Sequence, residues 1–208
     1  MSVLSRKERD KLLRKADILR ASEHIFALRG YDKATMQDIA KRAQYATGTV
    51  YLYFKDKSAL YCSLLEEKMR YLLSTIKDKI ASAKDSREKL GIFLEEELDF
   101  FKVNKDFFRI LVSENNGARF IIGFRISNSC VFREYSEYVS ELIKITQQQG
   151  LIRNDLYPNQ IIDIFRSIFA SVIIDWFKKE PQEYRDSKEM SCFILDMLLN
   201  GIGQKHSD

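Results

Sequence analysis

Residues 35–57 read TMQDIAKRAQYATGTVYLYFKDK, and the fold turns on how this stretch divides. Thr35 stands three residues before Asp38, the spacing of a capping box in which each residue closes the other's free backbone N–H. The box is a weak form, because aspartate is shorter than the preferred glutamate. Ile39, Ala40 and Ala43 then recur at the spacing of one helix face. The pattern breaks at 44–46 and resumes as a second short helix over Thr47 to Tyr53, sealed inward by Val50 and Phe54. Asp56 can cap the next helix, a long one whose stripe includes Leu60, Leu64, Leu72, Ile76 and Ile80. Two short helices joined by a tight turn, each with one apolar face, make a helix-turn-helix.

Toward the N-terminus, a first helix is expected from about Lys7 to Leu28, with Ile18, Ala21, Ser22 and Ile25 on one face and a left-handed Gly30 ending it. Its first half is a basic arm: Arg6, Lys7, Arg9, Lys11, Arg14 and Lys15. Residues 1–57 hold 13 basic and 7 acidic groups, a balance of +6, while the remainder holds 21 and 23, a balance of −2. Such a division suits a phosphate-binding module joined to a part with another partner. A merely solvated basic helix is the competing reading of charge alone.

Toward the C-terminus, helical periodicity predicts further helices near 87–103, 105–114, 119–148, 159–179 and 187–200. The expected class is all-α: an N-terminal head over 1–57, reaching into the helix that begins there, and a helical domain over 58–208. Residues 161–177 are apolar around most of the helix circumference and must be buried on two sides. Burial between a core and a second copy of the chain meets that need, with Phe165, Phe169 and Ile173 facing a stripe of Phe193, Ile194 and Met197. The alternative is a central helix of a monomeric bundle.

Composition narrows the function. Cys62, Cys130 and Cys192 are widely separated and odd in number, offering neither a zinc spacing nor a disulfide framework, and are read as buried thiols. With only His24 and His206 as histidines, the chain lacks the usual material for a metal site or His-based catalysis. No metal, cofactor or enzymatic activity is expected. The polar, basic first residues and the lack of a long apolar run imply a cytoplasmic location without membrane association.

The segment Ile18 to Tyr31 with Phe26 and Gly30, then Gly48-Thr49-Val50-Tyr51 and Phe54-Lys55-Asp56-Lys57, resembles the DNA-binding domain of TetR/AcrR-type regulators. The resemblance implies DNA contacts from Thr35, Gln37, Thr47, Gly48, Thr49, Tyr51, Tyr53 and Lys57. Tyr51, Tyr53 and Lys57 would grip the backbone, and Gln37, Thr47 and Thr49 would read bases, with Gln44 and Tyr45 as further candidates. The chain departs from the family where Gln44 and Tyr45 replace a glycine and a small aliphatic residue. Gln44 then costs on the order of 1 kcal/mol if its φ is positive.

The resemblance further implies a homodimer on a double-stranded operator, and an apolar or amphipathic effector in the C-terminal bundle that releases a repressor. Phe93, Phe100, Phe107, Phe108, Phe124 and Trp176 are the candidate pocket residues, although aromatic residues at helical spacing also serve as plain core. The run Glu95 to Glu97 reads as a solvated face or a cation-binding patch. A second reading keeps the TetR-like shape but binds a protein or lipid-like ligand without DNA.

Overall fold

The computed structural model describes residues 5–113, 130–178 and 186–201. Every regular element among them is a helix: α1 (Arg6–Lys33), α2 (Met36–Ala43), α3 (Thr47–Tyr53), α4 (Lys57–Ile80), α5 (Ser86–Val103), α6 (Lys105–Ser113), α7 (Cys130–Gln148), α8 (Pro158–Phe177) and α9 (Ser187–Asn200). The all-α expectation holds. No helix among the described residues is long and apolar enough to cross a membrane.

α1 differs from its predicted extent. Gly30 does take a positive φ of 73°, but the chain turns there for one residue, resumes as helix and leaves only at Ala34. The glycine therefore kinks the end of α1 instead of stopping it. At the other end Ser5 and Glu8 form a capping box, with Glu8 N–H donating to Ser5 Oγ at 3.2 Å and Ser5 N–H donating to Glu8 Oε2 at 2.8 Å.

The chain forms two compact units, and the expected boundary at 57 lies inside the first. That unit runs on to Lys68 and takes in α6 from Asp106, while the second begins at Met69 and resumes beyond α6. α4 contributes its first half to one unit and its second half to the other. In the first unit, Ile18, Phe26, Ile39, Val50, Leu60 and Ile110 belong to one buried cluster, so the helices around the turn share a single core. Phe26, Tyr31 and Tyr61 brace it with ring centroids 4.9–5.9 Å apart.

In the second unit α5 packs against α7, α8 and α9, and α7 packs against α8. Leu90, Leu94, Leu98, Phe101, Ile143 and Ile194 are buried there. This packing corrects the expected dimer face. Phe165, Phe169, Ile173 and Ile194 are buried within the protomer and have no surface to give a partner. Phe169, for example, meets Phe101 edge-on at 5.5 Å. The outward residues are Phe193, 50% exposed, and Ile164, 47% exposed, with Met197 half-buried. Cys62 and Cys192 are exposed, against the expectation of buried thiols.

Candidate nucleic-acid interface

α2 begins where the sequence places it because both halves of the capping box form. Asp38 N–H donates to Thr35 Oγ1 at 3.1 Å, and Thr35 N–H donates to Asp38 Oδ2 at 3.3 Å. The Thr35 hydroxyl also donates to Asp38 at 2.7 Å, and Arg29 pairs with the same carboxylate at 2.8 Å. These interactions, the Thr35 hydrogen bond foremost, hold the Asp38 carboxyl below its ordinary range. Thr35 and Gln37 are exposed at the start of α2, but the Thr35 hydroxyl proton is already engaged.

The turn shows what Gln44 does in place of glycine. Its φ is 61° and its ψ 37°, the left-handed conformation in which glycine would be cheaper. Tyr45 then donates its N–H to the Ala40 carbonyl at 3.0 Å, and its hydroxyl reaches Asp17 Oδ2 on α1 at 3.0 Å. Burial, with the Asp17 hydrogen bond next, raises the Tyr45 pKa, while the nearby Arg14 charge opposes the rise. Tyr45 thus ties the turn to α1 where a small aliphatic residue could not.

α3 presents two unlike faces. Val50 is 0% exposed and anchors the helix to the core. Gly48 is exposed, Thr47 and Thr49 are half-buried, Tyr51 is 50% exposed and Leu52 is 84% exposed. A Cβ built on Gly48 would meet nothing within 4 Å, so no packing among the described residues requires a glycine there. What the small residue provides is clearance on the outside of the helix. Tyr51 and Tyr53 divide as their angular separation predicts, for Tyr53 packs against the core cluster while Tyr51 faces outward. Leu52 is not among the DNA contacts that the resemblance implies, which are small residues and hydrogen-bonding or charged ones. Its signal is its position between the two tyrosines, on the side opposite Val50.

Lys57 is already engaged within the head. Expected as a phosphate anchor, its ammonium instead donates to the carbonyls of Tyr31, Asp32 and Ala34 at 2.7, 3.1 and 2.9 Å, and lies 4.5 Å from the Tyr31 ring centroid. Three ammonium protons meet three acceptors that the end of α1 leaves without helical partners. A phosphate would compete with that cap.

The aromatic candidates separate between the units. Phe107 and Phe108 are buried in the first unit, whereas Phe93, Phe100 and Trp176 are buried in the second. Phe124 lies outside the described residues. In the second unit Phe100 meets Phe101 edge-on at 5.1 Å, and Lys102 sits over the Trp176 ring at 5.7 Å. The acidic run is not the solvated face expected of it. Glu96 is buried and pairs with Lys79, while half-buried Glu97 accepts a hydrogen bond from the buried Tyr135 hydroxyl. Burial drives the Glu97 pKa up to about 7, against the lowering influence of Tyr135 and Arg166.

A short, outward-facing helix held by a turn over a shared core is the architecture of a helix-turn-helix DNA-binding protein. Comparison with known proteins agrees with that class. Residues 18–64 match the model of the bacterial regulatory proteins of the tetR family, and residues 65–201 match that of the C-terminal region of YsiA-like proteins. The fatty acid metabolism regulator protein of Bacillus subtilis is 23% identical over 188 residues, covering 90% of this chain and 95% of its own. The fatty acid degradation regulator FadR of Bacillus halodurans superposes with a TM-score of 0.78 at 24% identity, covering 93% of this chain and 97% of its own. FadR of Bacillus subtilis, solved in complex with stearoyl-CoA, gives 0.72 at 22% identity over 90% of this chain and 99% of its own. The chain belongs to the TetR family, and it is a DNA-binding transcriptional regulator, not an enzyme.

Proposed function

We propose that this regulator acts as a homodimeric repressor, its two heads entering successive major grooves of a roughly palindromic operator and leaving it when an amphipathic effector binds the second unit. The observation that carries the DNA-reading part is the outer face of α3, where Gly48, Tyr51 and Leu52 stand clear of the core and Thr49 is half-buried beside them. Gly48 permits close approach of the helix to the sugar-phosphate backbone. Tyr51 carries a hydroxyl suited to a phosphate, Thr47, Thr49 and Gln37 are suited to base edges, and Leu52 suits a thymine methyl. Tyr53 contributes chiefly by packing α3 in place, and Lys57 by capping α1.

The effector we propose is a long-chain acyl thioester. Support comes from the stearoyl-CoA bound by the Bacillus subtilis FadR structure and from the aromatic interior of the second unit. Polar groups bordering that interior, the buried Tyr135 with half-buried Glu97 and Arg166, suit a ligand that is not hydrocarbon throughout. Because α4 gives residues to both units, a shift of its second half would be carried to the heads, and DNA and effector would weaken each other reciprocally.

The test is to select bound fragments from a random duplex library, then titrate the selected duplex complex with stearoyl-CoA. A palindromic site bound by dimers and released by the thioester supports the whole reading. A site that stays bound removes the effector, and no enrichment removes sequence-specific DNA recognition in favour of a DNA-independent interaction protein.

A further inference from the structure

α1 overhangs the head that it helps to build. Every residue from Ser5 to Ala16 is exposed, whereas Ile18, Leu19, Ala21, Ser22, Ile25 and Phe26 further along the same helix are buried. The overhang has two different sides. At about 100° per residue, Lys7, Lys11 and Arg14 fall on the face that later carries Ile18, Ala21 and Ile25, and Arg9 falls on the opposite face. The side of α1 that is buried in the head therefore continues past the head's edge as a row of cations.

That row starts at the interface just described. Arg14 is close enough to Tyr45 to act on its hydroxyl electrostatically, and Tyr45 occupies the turn that leads into α3. From Arg14 to Lys7 the helix rises about 10 Å, the length over which one DNA strand presents roughly three phosphates. Glu8 is not on the row and is occupied with Ser5 in the capping box, where the backbone N–H groups of Ser5 and Glu8 are both engaged.

We propose that Lys7, Lys11 and Arg14 form a second DNA-contacting surface, which holds phosphates of the duplex flanking the bases beneath α3. The proposal rests on the DNA-binding reading above and adds to it a surface outside the helix-turn-helix. It predicts a footprint longer than the recognition helices alone require. Phosphate contacts orient a protein without carrying base information, so the arm tightens binding to any sequence and leaves the choice of sequence to α3.

The experiment uses the full chain and the selected duplex, comparing wild type with a Lys7→Gln, Lys11→Gln, Arg14→Gln variant, a Lys7→Gln, Lys11→Gln pair that spares Arg14, and Arg9→Gln. Kd is measured across salt concentrations, on duplexes trimmed to the selected site and on duplexes extended by flanking sequence. The expected result is a salt slope shallower by about 0.9 for each phosphate that the triple variant no longer neutralises, and partly so in the pair. Wild type should gain affinity from the flanks and the triple variant should not, while the preference for the selected site over a scrambled duplex stays within about twofold. Arg9→Gln should behave as wild type. An unchanged slope in the triple variant overturns the arm's role alone, as does an equal change in Arg9→Gln, which would mean diffuse charge and no oriented face. Wild type that binds no duplex removes the DNA reading, and the arm's role with it.

Discussion

The ammonium of Lys57 lies 2.7 Å from the carbonyl oxygen of Tyr31, the shortest of three hydrogen bonds that join the start of α4 to the end of α1. The two helices are separated in sequence by the whole helix-turn-helix. One side chain thereby fixes the frame in which α2 and α3 are held.

Lys57→Met keeps the aliphatic stem and removes the donors, leaving three carbonyls short of a partner. The head should lose about 2 kcal/mol, the range for a hydrogen bond to a charged group offset by partial solvent access to the freed carbonyls. Urea denaturation followed by circular dichroism measures this. An unchanged midpoint would contradict the capping role.

Gln44→Gly should act in the opposite direction. Its φ of 61° is a strain that glycine avoids, so the variant gains about 0.5–1 kcal/mol, reduced by the greater freedom glycine has in the unfolded chain. A higher midpoint with unchanged DNA affinity is the expected outcome, whereas a lower one would place the side chain's value in its packing.

Tyr51→Ala and Tyr53→Ala should separate recognition from stability. Tyr51 faces outward, so its loss should leave the midpoint within about 0.5 kcal/mol and weaken operator binding about tenfold. Tyr53 packs on the core, so its loss should lower stability by about 1 kcal/mol or more, on the order expected for partial removal of an aromatic ring. Equal effects on stability would show that the two rings are not on different faces.

Glu97 makes stability depend on pH. Its folded pKa of about 7 exceeds the value near 4.3 expected unfolded, so between these values the native state keeps a proton that the unfolded state releases. Stability is full below about pH 4, falls as pH rises through 7 and is then lost to the extent of a few kcal/mol at most. Glu97→Gln keeps an acceptor for the Tyr135 hydroxyl and removes the titration. Its stability at pH 8 should exceed that of wild type, with the difference vanishing by pH 4; identical pH profiles would refute the shift.

Phe193→Glu tests whether the exposed Phe193 on α9 belongs to the interface of the proposed homodimer. Phe193 is exposed and not part of the buried core, so the charge should leave each protomer folded while converting the proposed dimer to monomers in sedimentation. Dimers that survive the change would move the interface away from α9.

The helices and the turn are legible in the sequence because capping boxes and three- and four-residue spacing are local. Thr35 and Asp38 need only each other to be found. The role of Lys57 is not legible, because its acceptors lie 23 to 26 residues away, on the far side of a motif, and no local pattern announces them. Which apolar residues fill the protomer's own core is hidden for a related reason. A helix apolar on most sides signals burial, but only the positions of α5, α7 and α9 decide which of its residues fill the protomer's own core. Glu96 and Glu97 look solvated in sequence because adjacent acids usually are, and Lys79 and Tyr135 come from distant helices.

The Ser5–Glu8 box has a thermodynamic consequence for the basic arm. A loose cationic tail must order itself on the nucleic acid, spending conformational entropy and leaving the heat-capacity signature of coupled folding. The arm of this regulator is continuous with a helix already anchored by Ile18 and Phe26 and closed at its far end by two reciprocal hydrogen bonds. It meets a duplex as a preformed rod, so its cations arrive at fixed spacing and association proceeds without a folding step.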